Sequence, residues 1–181
     1  MDMDFQALED LFPMVFGDWH IVRKLGKGSY CDVYEVSREI GGTKERKALK
    51  HISFPRDPFE MQSICSQLGT ADSAVIRDYI HQSVEMFERE YLIMSDLGGQ
   101  TNTVSCQDMR KIEKKDMPGY DIFFFMELLT SVATISTERA MSEEEIVKLG
   151  IDICTALELL EKRNILHRDI KPENLFINKD G

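Results

Sequence analysis

Trp19 to Gly26, Asp32 to Arg38 and Glu45 to Ile52 alternate apolar and polar residues with the two-residue rhythm of strands. Gly41-Gly42 sits between the last two runs and predicts a tight hairpin turn. Residues 1–18 mix acidic and apolar positions, which predicts a short helix or a cap on the first strand. Residues 53–70 hold Pro55 and Pro58, then a short helical stretch ending at Gly69. From there Ile76, Ile80, Val84, Phe87, Tyr91, Met94 and Leu97 step by three or four. That is the period of a long amphipathic helix, and Gly98-Gly99 stop it.

Thr101 to Asp108 and Tyr120 to Glu127 read as two further strands, joined by a charged turn containing Pro118-Gly119. Residues 128–141 are polar and predict a connector with little structure. Ser142-Glu143-Glu144-Glu145 is a capping box that opens another helix. Ile146, Leu149, Ile153, Leu157 and Leu160 form its inner stripe, and Val147, Ile151 and Cys154 add a second apolar face. A loop over His167–Asn174 and a short strand, Leu175 to Ile177, follow. The order predicts an α+β lobe followed by the start of a mostly helical one.

Composition narrows the class. At 181 residues, with 43% hydrophobic and 30% charged positions, the chain has the makeup of an ordinary globular protein with a real core. A formal charge of -10 argues against a nucleic-acid partner, which would want a basic face. Cys31, Cys65, Cys106 and Cys154 are scattered, without CxxC or histidine at ligand spacing. This excludes a zinc site or disulfide framework and suits the reducing cytoplasm. Met1 to Asp10 is acidic and has no basic region, so it is not a signal peptide. No apolar run approaches the length of a membrane span.

Three stretches carry candidate chemistry. Leu25-Gly26-Lys27-Gly28-Ser29-Tyr30-Cys31-Asp32-Val33 lies between two strands, and its glycines would let backbone approach a phosphate closely. A plain glycine hairpin explains the isolated motif equally well. On the third strand, period two puts Ala48, Lys50 and Ile52 on one face. A lysine there needs an anionic partner. Glu90 lies in the apolar stripe of the long helix, one turn from Phe87 and from Met94, and is preferred over Glu85 and Glu88. The third stretch, His167-Arg168-Asp169-Ile170-Lys171-Pro172-Glu173-Asn174, brings a carboxylate, an ammonium and an amide together in one loop.

In this chain order the motifs resemble those of protein kinases from about Trp19 onward, and Lys171-Pro172-Glu173-Asn174 resembles the Ser/Thr-specific branch. The helix and hinge text resembles bacterial members. The resemblance implies a kinase-like fold. Residues 1–18 would be an N-terminal extension and 19–128 a small lobe of antiparallel sheet plus one long helix. Residues 129–181 would begin the helical large lobe, with ATP in a cleft between the lobes.

It also implies roles. Asp169 would orient the substrate hydroxyl, Lys171 would neutralise the phosphoryl group in transit, and Asn174 would ligate Mg²⁺. Lys50, paired with Glu90, would hold the ATP phosphates beneath Leu25, Gly26, Lys27, Gly28 and Ser29. Val33, Ala48 and Phe176 would enclose adenine, with Met126 as gatekeeper and the backbone of Glu127 and Leu129 as hinge. His167 would be a packed structural residue, and Arg168 resembles the partner of a phosphorylated activation loop. The activity implied is transfer of phosphate to Ser or Thr of a protein.

The text departs from the family in two places. Cys31 replaces the third glycine of the loop. No Asp-Phe-Gly triplet follows Asn174, and the text runs out at Asp180-Gly181, a hairpin-turn dipeptide. The expectation is therefore a kinase truncated after its catalytic loop. The alternatives are a non-catalytic nucleotide-binding or scaffold fragment and, less in keeping with Lys171-Pro172-Glu173, a small-molecule kinase.

Overall fold

A computed structural model describes residues 5–28, 31–100 and 102–178. The chain divides into two compact units, Met1–Asp96 with Cys106–Glu127, and Leu97–Ser105 with Leu128–Gly181.

The first unit is built on a five-stranded antiparallel sheet, β1 His20–Lys27, β2 Cys31–Ile40, β3 Thr43–Phe54, β4 Cys106–Glu113 and β5 Tyr120–Met126, ordered β1-β2-β3-β5-β4. Two short helices precede it, α1 Phe5–Leu11 and α2 Pro13–Phe16, and two lie between β3 and β4, α3 Pro58–Leu68 and α4 Ser73–Asp96. The β2–β3 hairpin turns on Gly41 and Gly42, both at positive φ (57° and 79°), and pairs Ile40 with Thr43. A residue without a Cβ takes that backbone at no steric cost.

Both faces of the sheet are covered. Tyr34, Val36, Leu49, Phe123 and Phe125 face one side and meet Leu8, Phe12, Val15, Phe16 and Trp19. Ile52, Phe54, Ile122 and Phe124 face the other and meet Ile64 of α3 and Ile76, Ile80 and Val84 of α4. The cap expected from residues 1–18 is therefore a pair of helices spread over the middle strands as well as over β1. Glu9 ties that pair to β1 through His20 Nδ1 (3.1 Å) and the backbone N–H of Ile21.

A buried polar pair lies within the first face. His51 Nε2 meets Asp121 Oδ1 at 2.8 Å, and the imidazole stacks on Phe123 at 4.4 Å. Burial pushes the Asp121 carboxyl up. The His51 hydrogen bond and the Lys114 ammonium outweigh it and hold the group below its ordinary 3.8.

In the second unit, β6 Thr130–Ser131 pairs with β7 Phe176–Ile177, and the helices are α5 Val132–Glu138 and α6 Glu143–Lys162. The capping box of α6 forms as expected. Ser142 Oγ accepts from Glu145 N–H, and the Glu145 carboxylate accepts from Ser142 N–H at 2.8 Å. Arg139 grips the same carboxylate through two nitrogens, which with the Ser142 N–H brings its pKa down to about 2.

Three expectations need correction. The connector at 128–141 is not structureless, because it contains β6 and α5. Its hydroxyl-rich text has weak helix propensity. Ser131 nonetheless caps the helix by accepting from Thr134 N–H, and Val132 is buried with its N–H on the Leu175 carbonyl. The strand expected at Thr101–Asp108 runs instead over Cys106–Glu113, through the text read as a charged turn. It is an edge strand, where charged side chains are tolerated and even protective; Thr101 itself lies outside the described residues. Within the stripe expected on α6, Ile146 and Leu157 are exposed together with Val147 and Ile151, and Leu160 is buried.

Two measurements test this architecture. Phe123→Ala should cost about 3–5 kcal/mol of unfolding free energy in urea titrations, as for a fully enclosed aromatic. Because Asp121 titrates lower when folded than when unfolded, its contribution is complete above about pH 4 and drains away as pH falls through the lower, folded value. Asp121→Asn should flatten the acid limb of the stability profile; an unchanged slope would show that this carboxylate is not the group responsible.

Candidate functional site

Lys50 is placed by register. It pairs with Val33 on β2 and Phe124 on β5, so it shares the α4 side of the sheet with Ala48 and Ile52. Its Nζ reaches Glu90 Oε1 at 2.6 Å, an ion pair that is partly exposed on both sides. The rival acids are otherwise engaged, Glu88 with Lys111 and Glu85 with His81. Phe124 is a participant that sequence reasoning missed. Lys50 Nζ stands 5.5 Å from its ring centre, and Tyr91, next to Glu90, stacks on the same ring with the centroids 6.0 Å apart. Period two along Ile122–Met126 puts Phe124 and Met126 on one face, a signal the sequence carries but a run of three phenylalanines obscures.

Around Lys50 lie other predicted positions. Ala48 is buried and pairs with Met126, which is half-buried at the end of β5. Gly26 pairs with Val33, and Leu25 and Lys27 flank it, both exposed. Gly28 N–H donates to the Cys31 carbonyl at 2.7 Å. A Cβ on Gly28 would stand 2.9 Å from Cys31 Sγ, so the thiol that replaces the third glycine is accommodated because position 28 has no side chain. Ser29 lies outside the described residues. Glu127 follows β5 and is half-buried.

The second unit holds a separate cluster of predicted positions. Asp169 Oδ2 accepts from Asn174 Nδ2 at 2.8 Å and pairs with Lys171 Nζ at 2.9 Å. Asn174 Nδ2 also donates to the Asp169 carbonyl at 2.9 Å. A single 3-10 turn, Pro172–Asn174, brings the amide back to the carboxylate, and Arg168 at φ 65° makes the bend before it. The Asp169 N–H donates to His167 Nδ1 at 3.4 Å. Lys171 chiefly, with Asn174 and against the cost of desolvation, holds the Asp169 carboxyl below its usual range. Phe176 sits on β7 opposite Ser131 and is partly exposed, and Leu129 immediately precedes β6.

With its nitrogen engaged on Asp169, the Asn174 amide presents its oxygen as the remaining donor. That oxygen and the adjacent carboxylate are hard donors of the kind Mg²⁺ takes.

Residues 19–181 match the family model described as protein kinase domain. The chain belongs to the protein kinase family. Its sheet, long helix and following helices are the small lobe and the beginning of the large lobe of that fold. Among its curated relatives is the "Probable serine/threonine-protein kinase PknB" of Lactococcus lactis, 23% identical over 92% of this chain and 23% of the relative. Two others come from Dictyostelium discoideum. One is the "Probable serine/threonine-protein kinase fhkB", 24% identical over 90% of this chain and 12% of the relative. The other is Extracellular signal-regulated kinase 2, 25% identical over 95% of this chain and 39% of the relative. The chain thus spans well under half the length of these relatives. No helix among the described residues is long and apolar enough to cross a membrane.

The partly exposed Lys50–Glu90 pair should contribute little to folding. A double-mutant cycle with Lys50→Met and Glu90→Gln, read by urea denaturation, should return a coupling of about 0.2–1 kcal/mol. A coupling of several kcal/mol would mean that the pair is primarily structural.

Proposed function

We propose that this chain supplies the nucleotide-holding and hydroxyl-orienting parts of a Ser/Thr protein kinase, which moves the γ-phosphoryl group of ATP to a protein hydroxyl. The observation that carries this reading is the closed arrangement of Asp169, Lys171 and Asn174 in one loop. An ionised carboxylate there accepts a hydrogen bond from the incoming hydroxyl and aims its oxygen at the phosphorus. Because Asp169 is held below the usual carboxylate range, it is a weak base. It fixes geometry first and takes the proton late, which suits a loose transition state in which the nucleophile's proton leaves after most of the bonding change. The new bond joins the hydroxyl oxygen to the γ-phosphorus, the bond to the β-phosphate oxygen breaks, and ADP departs.

Lys171 is assigned to the charge on the group in transit, and Lys50, oriented by Glu90, to the non-transferred phosphates. The backbone at Gly26 and Gly28 is assigned to the phosphates, with Leu25, Lys27 and Ser29 beside it. Val33, Ala48, Met126 and Phe176 provide apolar contact for the base, and the backbone of Glu127 and Leu129 its hydrogen bonds. Asn174 would hold Mg²⁺, which when bound would offset the negative charge of the phosphates. The Lys171-Pro172-Glu173 text favours Ser and Thr over small-molecule acceptors, and a cytoplasmic setting accords with four free thiols.

Asp169→Asn should lower phosphate transfer to a generic protein substrate about 100- to 10,000-fold, with ATP affinity changed little. Lys50→Met should weaken ATP binding itself. Transfer that survives Asp169→Asn at full rate would remove the assignment. ATP binding without transfer in the wild type would favour a non-catalytic nucleotide-binding module instead.

A further inference from the structure

Asp32 stands where β2 leaves the glycine turn, and the strand alternation aims its carboxylate at the side of the sheet opposite Lys50. Two cations from different elements close on it. Lys24 Nζ, from β1, lies 2.9 Å from Oδ1, and Arg56 Nη2, from the connection between β3 and α3, donates to Oδ2 at 3.1 Å. The Asp32 side chain is only 14% exposed, so each cation offsets a real desolvation cost. Burial pushes its carboxyl up, yet Lys24 and Arg56 hold it below its ordinary value.

The register explains why the strands need this tie. Pairing steps from Lys24↔Tyr34 to Gly26↔Val33, leaving Leu25 as an extra residue in β1. Such an irregularity disrupts the ladder locally and bends the strand, here immediately before the glycines. The Lys24–Asp32 ion pair spans it. Arg56, in turn, is anchored to α3. Its N–H donates to Glu60 Oε2 at 2.5 Å, and Asp57 caps the helix by accepting from Glu60 N–H at 2.8 Å. Ile64, with Met61, Cys65 and Leu68, then seats α3 in the apolar cluster that holds Ile76, Ile80 and Val84 of α4.

We propose that Arg56 is a positioning residue for the phosphate-binding turn. Through Asp32 it ties the strand ends at Lys24–Gly28 and Cys31–Val33 to α3, and so to α4, the helix that carries Glu90. This gives the segment between Lys50 and α4 a task, that of holding the backbone over the phosphates in register with the Lys50–Glu90 pair. The inference rests on the nucleotide-binding reading of the glycine turn.

The test is amide hydrogen exchange on the full chain, beside titration with ATP and Mg²⁺. In Arg56→Ala, exchange at 24–28 and 31–33 should quicken about two- to fivefold while β5 and α4 stay unchanged, and the ATP dissociation constant should rise by a similar factor. Arg56→Lys should recover most of both. Lys24→Met should give the same local pattern and serves if Arg56→Ala fails to fold. Unchanged exchange at the strand ends, or a uniform rise over the whole sheet, would overturn the role of Arg56 while leaving ATP binding by the wild type intact. Absence of ATP binding by the wild type would overturn the proposed function, and this inference with it.

Discussion

The antiparallel register that sets Lys50 opposite Phe124 and His51 opposite Phe123 governs the rest of the first unit. Side chains on a strand alternate, so a slip of one residue would carry Lys50 into the aromatic core beneath α1 and α2, and would move His51 to the α4 side. Neither alternative is tolerable. An ammonium among Phe12, Phe16 and Phe123 would lose Glu90, and Asp121 would lose the imidazole that holds its charge. The hydrophobic requirement of two covered faces and the pairing requirement of two charged groups select the same register. The position of Lys50 is thus a by-product of core formation.

The ionic groups of the chain divide by burial. Glu35, 1% exposed, is held between Arg23 at 2.8 Å and Arg46 at 2.7 Å, and Asp32 between Lys24 and Arg56. In each case one acid on β2 gathers cations from its neighbours, because a single partner would not offset the loss of water. The site groups differ. Glu90, Asp169 and Lys171 keep substantial exposure, Lys50 is 21% exposed, and among the described residues each has one close ionic partner. Such pairs cost little to open, as the role proposed for them, exchanging one another for phosphate oxygens, would require.

Legibility followed the length and strength of each pattern. Helix α4 was plain because its apolar positions from Ile76 to Met94 kept one period, and α6 was plain from its capping box. The strands flanking Gly41-Gly42 were bounded by a dipeptide that favours the tight hairpin turn. Helix α5 was not visible, since Val132–Glu138 is rich in hydroxyls and β-branched residues and is held by Ser131 and by a bond to Leu175, far along the chain. β4 was misplaced because an edge strand needs no clean alternation. On α6 the apolar text was right about composition but did not say which residues would turn inward.

The text of the His167–Asn174 loop, the lysine on an alternating strand and the glutamate on a helical stripe were determined by the sequence, because each is a local pattern of residue types at fixed spacing. Glu90 was separated from Glu85 and Glu88 by its place on that stripe. Only the tertiary structure decided that Lys50 and Glu90 meet, that Phe124 backs the lysine, and that Arg56 reaches Asp32. These are contacts between residues far apart in the chain, and nothing in local spacing specifies a distance across a fold. The physical reason is that periodicity reports which face a residue occupies, whereas the packing of one face on another reports its partner.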